Sequence, residues 1–159
     1  LQHYMWNSPF TPNVTSSTYD AWETGYVPVN KEFAEAVVEE AGKMAAPPFV
    51  MLHDYHLYLA AGYIRESIPG AVIQHFSHIP WPAPTYWQLL PRFMRKAICE
   101  SLCAADIIGM QTTRDVLNFL HTCQATLEDS EIDYRRGTIF RKGRVTTVHA
   151  YPISVDVEG

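Results

Sequence analysis

Three short apolar runs in this chain each end in a polar signature. Val50-Met51-Leu52 leads into His53-Asp54-Tyr55-His56, Ala71-Val72-Ile73 into His75-Phe76-Ser77-His78, and Ile107-Ile108-Gly109-Met110 into Gln111-Thr112. A helix-like stretch separates each run from the next, so the runs read as buried strands joined by βαβ crossovers in a parallel sheet. Parallel strands present their carboxyl ends along one edge, and open α/β sheets bind ligands in the crevice outside that edge. The pattern therefore predicts that Asp54, His56, His78 and Gln111 meet in one crevice.

The segments between the runs support this reading. Residues 1–28 hold Pro9, Pro12 and Pro28, a Ser/Thr run and many aromatics, and are expected to be irregular loops packed around a site or an interface. Val29, Phe33, Val37, Ala41 and Met44 then mark the apolar side of a helix that Pro47-Pro48 stops. Phe49–Leu52 is the first buried strand, 57–68 a helix ended by Pro69-Gly70, and 71–78 the second strand. Three prolines in 80–84 require a loop, followed by a short helix at 85–90 and a longer one carrying Phe93, Ala97, Ile98, Leu102 and Ala105. Residues 106–110 form the third strand, and 113–125 a helix with Val116, Leu117, Leu120 and Cys123 on its apolar side. A hairpin with arms 137–141 and 144–150 turns at Lys142-Gly143, and 151–155 is strand-like.

At 159 residues the chain suits one domain. Its 47% hydrophobic and 18% charged residues are those of a globular protein, and a net charge of −5 argues against a nucleic-acid surface. No apolar stretch reaches the ~20 residues of a membrane span, so no membrane partner is expected. Cys99, Cys103 and Cys123 lie in predicted helices without a completing Cys or His pair, and read as core thiols of a reducing cytoplasmic compartment. A glycine-rich dinucleotide fingerprint and a P-loop are both missing. The chain begins at Leu1 and stops at Gly159 just past a strand-like segment, which reads as a fragment of a longer protein.

A carboxylate at the end of an apolar strand needs a partner or a cleft. Asp54 has the acceptor geometry for two adjacent sugar hydroxyls, while helix capping at Leu57 is the ordinary alternative. The pairs His53/His56 and His75/His78 suggest a metal site, but strand alternation sends residues 75 and 78 to opposite faces, and no metal is expected. His78, before a rigid proline loop, is fixed for ligand contact. Gln111 and Thr112, entering a helix N-terminus, offer amide, hydroxyl and backbone N–H groups.

These motifs together resemble one family. His53-Asp-Tyr-His-Leu57, His78-Ile-Pro-Trp-Pro82, Leu89-Leu-Pro91 and Ile108-Gly-Met-Gln-Thr112 are similar to trehalose-6-phosphate synthase and its relatives in glycosyltransferase family 20. Upstream, Trp22, Tyr26, Val29-Asn30 and Phe33-Ala34 match the family's preceding segment, and Tyr151-Pro-Ile-Ser-Val-Asp156 resembles its domain-closing strand. Gln2 stands where better-known members carry a tryptophan, with Trp6 nearby. Trp81 and Trp87 resemble a divergent branch that includes pseudo-glycosyltransferases acting on cyclitols.

The resemblance implies a Rossmann-like parallel sheet with flanking helices, the N-terminal half of a GT-B fold. Residues 1–159 would be part of the acceptor-binding domain, without the C-terminal donor-binding domain. It implies retaining transfer of glucose from UDP-glucose or another nucleotide sugar to glucose 6-phosphate, with no metal or other cofactor. Asp54, Tyr55 and His56 would bind the acceptor, His78 would face the transferring glucose, and Gln111 and Thr112 would line the cleft. A homo-oligomer is compatible with this reading, and the isolated piece is expected to be inactive. The alternatives are a non-catalytic sugar-phosphate-binding relative and a pseudo-glycosyltransferase.

Overall fold

In a computed structural model, which describes residues 13–155, the three apolar runs are adjacent strands of one six-stranded sheet. They are β1 (Phe49–His53), β2 (Val72–Ser77) and β3 (Ile107–Met110), and the later strands are β4 (Ser130–Asp133), β5 (Thr138–Arg141) and β6 (Arg144–Ala150). The spatial order is β1-β2-β3-β6-β5-β4, parallel from β1 through β6 and antiparallel at β5 and β4. The expected hairpin is β5–β6, with Lys142 and Gly143 both at positive φ in its two-residue turn. Its second arm also adds a fourth parallel strand to β3. The short strand β4 falls in a stretch whose charge concealed it.

One register row runs His53, Phe76, Gly109, His149 across the four parallel strands. The polar signatures that follow therefore leave the sheet side by side. At the opposite edge, buried Arg65 donates to Asp106 at 2.7 Å and to the carbonyls of Pro69, Ala71 and Ala104, tying the amino ends of β2 and β3 together.

Among the described residues the α-helices are α1 (Ser16–Asp20), α2 (Val27–Ala41), α3 (Ala60–Ser67), α4 (Pro84–Trp87), α5 (Arg92–Leu102) and α6 (Thr113–Thr126). Two expectations fail at α1 and α2. The stretch expected to be irregular is helical from Ser16, because a π-helical turn at Ala21–Tyr26 joins α1 to α2. Pro28 sits in the first turn of α2, where a missing N–H is tolerated. The inward face is also turned from the one expected. Asn30 and Ala34 are buried, whereas Val29 and Phe33 are about half exposed at 48% and 54%. A tertiary demand overrides hydrophobic periodicity, since Asn30 bonds the loop after β1.

Three more readings need correction. Strand β1 is buried on one face only, with Val50 and Leu52 inside and Phe49 and Met51 exposed. Residues 151–155 form no strand, although Tyr151 N–H donates to Met110 O at 2.7 Å. Phe93 and Leu117, placed inward by their spacing, are largely exposed; Phe93 packs on Tyr19 and Trp22. The three cysteines are free and buried, as expected. The readings on Gln2, Trp6 and Asp156 lie outside the described residues.

Candidate functional site

The chain leaves β1 through a strained residue. Asp54 has φ 61° and ψ 176°, a backbone conformation that L-residues other than glycine rarely adopt. This turns the chain sharply into a 3-10 turn, Tyr55–Leu57. The Asp54 side chain does not cap that turn. Its Oδ1 instead accepts from the backbone N–H of His78 at 3.2 Å, across the carboxyl ends of β1 and β2. Among the described residues Oδ2 has no hydrogen-bond partner, so one carboxylate oxygen remains for a ligand.

The loop after Asp54 is clamped from α2 and the turn preceding it. Tyr26 Oη donates to Tyr55 O at 2.5 Å. Buried Asn30 donates through Nδ2 to His56 O at 3.0 Å and accepts from Leu59 N–H at 2.9 Å. Tyr58 is fully buried, bonded to Ser77 Oγ at 2.8 Å, and its burial raises its pKa. The Trp22, Tyr26 and Asn30 pattern thus acts on the site through the backbone of 55–59.

His78 is held equally firmly. Its Nε2 lies 3.0 Å from His53 Nδ1, the two rings stacked with centroids 5.2 Å apart, and the Phe76 ring lies 4.7 Å away. Gly109 makes this possible, because a Cβ there would approach Phe76 to 2.5 Å. The following proline loop is pinned to α6. Trp81 N–H donates to Asp115 Oδ1 at 2.9 Å, its indole N–H to Thr122, and its carbonyl accepts from Asn118. Trp81 and Trp87 are buried and stacked with centroids 4.4 Å apart, as core rather than crevice lining.

The four residues expected to share a crevice do not form one contact set. Asp54 and His78 are joined directly. The His56 ring folds onto Tyr55, with centroids 3.9 Å apart, because the turn after Asp54 carries it along the loop. Gln111 leaves β3 beside His78, and its Oε1 accepts from Ile153 N–H at 3.1 Å. Thr112 caps α6, its hydroxyl and N–H both engaged by Asp115. Asp115 was missed from sequence, although Thr112-x-x-Asp115 has the spacing of a capping box.

His75 is buried beneath this edge against Tyr58, on the opposite face from His78, as alternation requires. Burial pushes its pKa down to about 3, against the opposing effect of the Asp54 backbone. Among the described residues no group of three or more His, Cys, Asp or Glu is placed to hold a metal ion. A pocket of about 340 Å³ lies at the other end of the strands, lined by Arg65, Glu100, Arg141 and Arg144, and its arginines are already ion-paired with Asp106, Glu100 and Asp129. No helix among the described residues is long and apolar enough to cross a membrane.

A mainly parallel sheet whose carboxyl edge presents a braced carboxylate and imidazole, without a glycine-rich phosphate loop, defines a Rossmann-like ligand-binding domain. Its relatives specify which one. The family model for Glycosyltransferase family 20 matches residues 1–159, and the chain belongs to that family. Its sheet and flanking helices are those of the N-terminal half of a GT-B fold. The chain is 30% identical over 151 residues to a validamine 7-phosphate valienyltransferase of Streptomyces hygroscopicus subsp. jinggangensis, covering 95% of this chain and 30% of that protein. It is 33% identical over 141 residues to a trehalose-6-phosphate synthase of Mycobacterium avium, covering 85% and 28%. A crystal structure of an alpha,alpha-trehalose-phosphate synthase (UDP-forming) from Burkholderia xenovorans in complex with glucose 6-phosphate superimposes with a TM-score of 0.76 at 26% identity, covering 97% and 32%. The chain thus spans about 30% of the length of these two relatives.

Proposed function

We propose that the protein containing this chain transfers glucose from UDP-glucose, or a similar nucleotide sugar, to glucose 6-phosphate with retention, forming trehalose 6-phosphate. This chain forms part of the acceptor side. The observation that carries the reading is the Asp54–His78 pair, built into adjacent strand ends of a chain that matches its family throughout. Support for the substrates comes from the relatives named as trehalose-6-phosphate synthases, one of them in complex with glucose 6-phosphate.

In this reading the free oxygen of Asp54 accepts hydroxyl hydrogens of the acceptor, with Tyr55 and His56 beside it. His78 faces the glucose being transferred, and Gln111 and Thr112 border the cleft. The chain's contribution is orientation: two sugars held in reacting geometry by groups whose backbones are already fixed. The leaving phosphate is stabilised by a donor-binding half outside this chain, so the 159-residue piece alone is inactive. No metal or organic cofactor takes part, and the buried free thiols support a cytoplasmic setting.

A second reading has support in the valienyltransferase likeness, namely coupling of a cyclitol donor to a cyclitol phosphate without a glycosidic bond. One assay separates the two. The full-length protein is mixed with UDP-glucose and glucose 6-phosphate, and acceptor-dependent UDP release and disaccharide phosphate are followed. Product supports the synthase reading. Silence with this pair and turnover with a nucleotide cyclitol would support the second, and silence with all donors would leave a sugar-phosphate-binding protein.

A further inference from the structure

His53 has no role in the reading above, yet it makes a direct side-chain bond to the residue placed at the transferred sugar. Its Nδ1 lies 3.0 Å from His78 Nε2, with the rings tilted by only 22°. A bond between two imidazole nitrogens needs one N–H and one bare nitrogen. One ring must donate and the other accept, so the two tautomers are coupled: either both rings carry the proton on Nδ1 or both carry it on Nε2. Asp54 fixes the His78 backbone and Phe76 backs its ring, so the bond from His53 settles the remaining freedom, rotation of the imidazole. With Nε2 engaged, Nδ1 is the His78 atom left to meet a ligand, and it has no partner among the described residues.

We propose that His53 is a positioning residue that holds the orientation of the His78 ring and couples the His78 tautomer to its own, presenting Nδ1 to the transferred sugar. This rests on the reading of His78 as a residue facing that sugar. The rest of the row supports the arrangement. Gly109 provides the space in which Phe76 lies, and two intervening strands, carrying Phe76 and Gly109, separate His149 from His53.

Two variants of the full-length protein separate the bond from the packing. His53→Phe keeps a flat ring in the stack and removes the nitrogen, whereas His53→Asn restores a polar atom near the Nδ1 position. Side-chain ¹⁵N NMR of the histidines reads the His78 tautomer, and steady-state kinetics with saturating UDP-glucose and glucose 6-phosphate reads turnover. We expect matching His53 and His78 tautomers in the wild type and a changed His78 tautomer population in His53→Phe. The kcat of His53→Phe should fall about tenfold, the effect of one net hydrogen bond, with little change in acceptor KM. His53→Asn should recover most of that loss. An unchanged His78 tautomer in His53→Phe, or an unchanged kcat, would overturn the proposal. A wild-type protein that transfers nothing would overturn the functional reading and the kinetic claim, and the NMR result would still decide whether His53 sets the tautomer.

Discussion

The carboxylate of Asp54 accepts a hydrogen bond from the backbone N–H of His78 at 3.2 Å, so the two residues that end β1 and β2 are set relative to each other by a bond independent of any ligand. The arrangement depends on Asp54 holding φ at 61°. Strain of this kind costs of order 1–3 kcal/mol and persists where the surrounding structure enforces it.

That strain separates two substitutions that both remove the carboxylate. Asp54→Gly relieves it and Asp54→Ala does not, so the glycine variant should be more stable by about 1 kcal/mol or more. Neither should transfer glucose. Denaturant midpoints of the full-length variants read the difference, and an alanine variant as stable as the glycine variant would show that the backbone is not strained.

The Asn30 clamp should matter for stability first. Asn30→Ala leaves Leu59 N–H and His56 O without their buried partner, a cost of about 1–3 kcal/mol for each group left unmet. Tyr26→Phe removes only the bond to Tyr55 O and should cost about 1 kcal/mol. Chemical denaturation checks the order, and acceptor KM should rise in both as the Asp54 loop loosens.

Gly109→Ala drives a methyl into Phe76, at 2.5 Å from its ring, and close to Tyr151 at 3.2 Å. Overpacking of this sort costs about 1–3 kcal/mol, and here it displaces the ring that backs His78. Adding Phe76→Leu should recover stability without recovering turnover. Recovery of neither would place the clash elsewhere.

His75 makes stability depend on pH in a definite direction. Its folded pKa of about 3 lies below the ordinary histidine value of 6.5 because burial penalises the charged ring. The unfolded chain therefore binds a proton that the fold refuses, and the contribution is complete above pH 6.5 and is lost as pH falls toward 3. The slope is about 1.4 kcal/mol per pH unit, or about 2 kcal/mol by pH 5. His75→Phe removes the proton site, so its stability relative to wild type should improve by about that amount between pH 7 and pH 5. An equal pH dependence in the two proteins would mean that His75 does not titrate on unfolding.

How much of this was legible in the sequence follows from the range of the interactions. The parallel strands, the crossovers and the hairpin at Lys142-Gly143 were readable because runs, breakers and turn residues are local. Asp54 and His78 stood out as polar residues at the ends of apolar runs. The helical start at Ser16 was hidden by Pro28 and by a π turn whose register no periodicity records. The inward face of α2 was misread because Asn30 is buried for two backbone groups 26 and 29 residues away. Asp115 could have been found from its capping spacing, but its second bond, to Trp81 N–H, is 34 residues distant. His56 and Gln111 follow strand ends as expected, yet loop geometry turns their side chains toward Tyr55 and Ile153.

The most direct measurement is a crystal structure of the full-length protein with glucose 6-phosphate bound. The account predicts sugar hydroxyls within hydrogen-bond distance of the Asp54 carboxylate, with the His78 backbone bond intact. Glucose 6-phosphate bound elsewhere, with the Asp54 carboxylate turned away from it, would contradict the account.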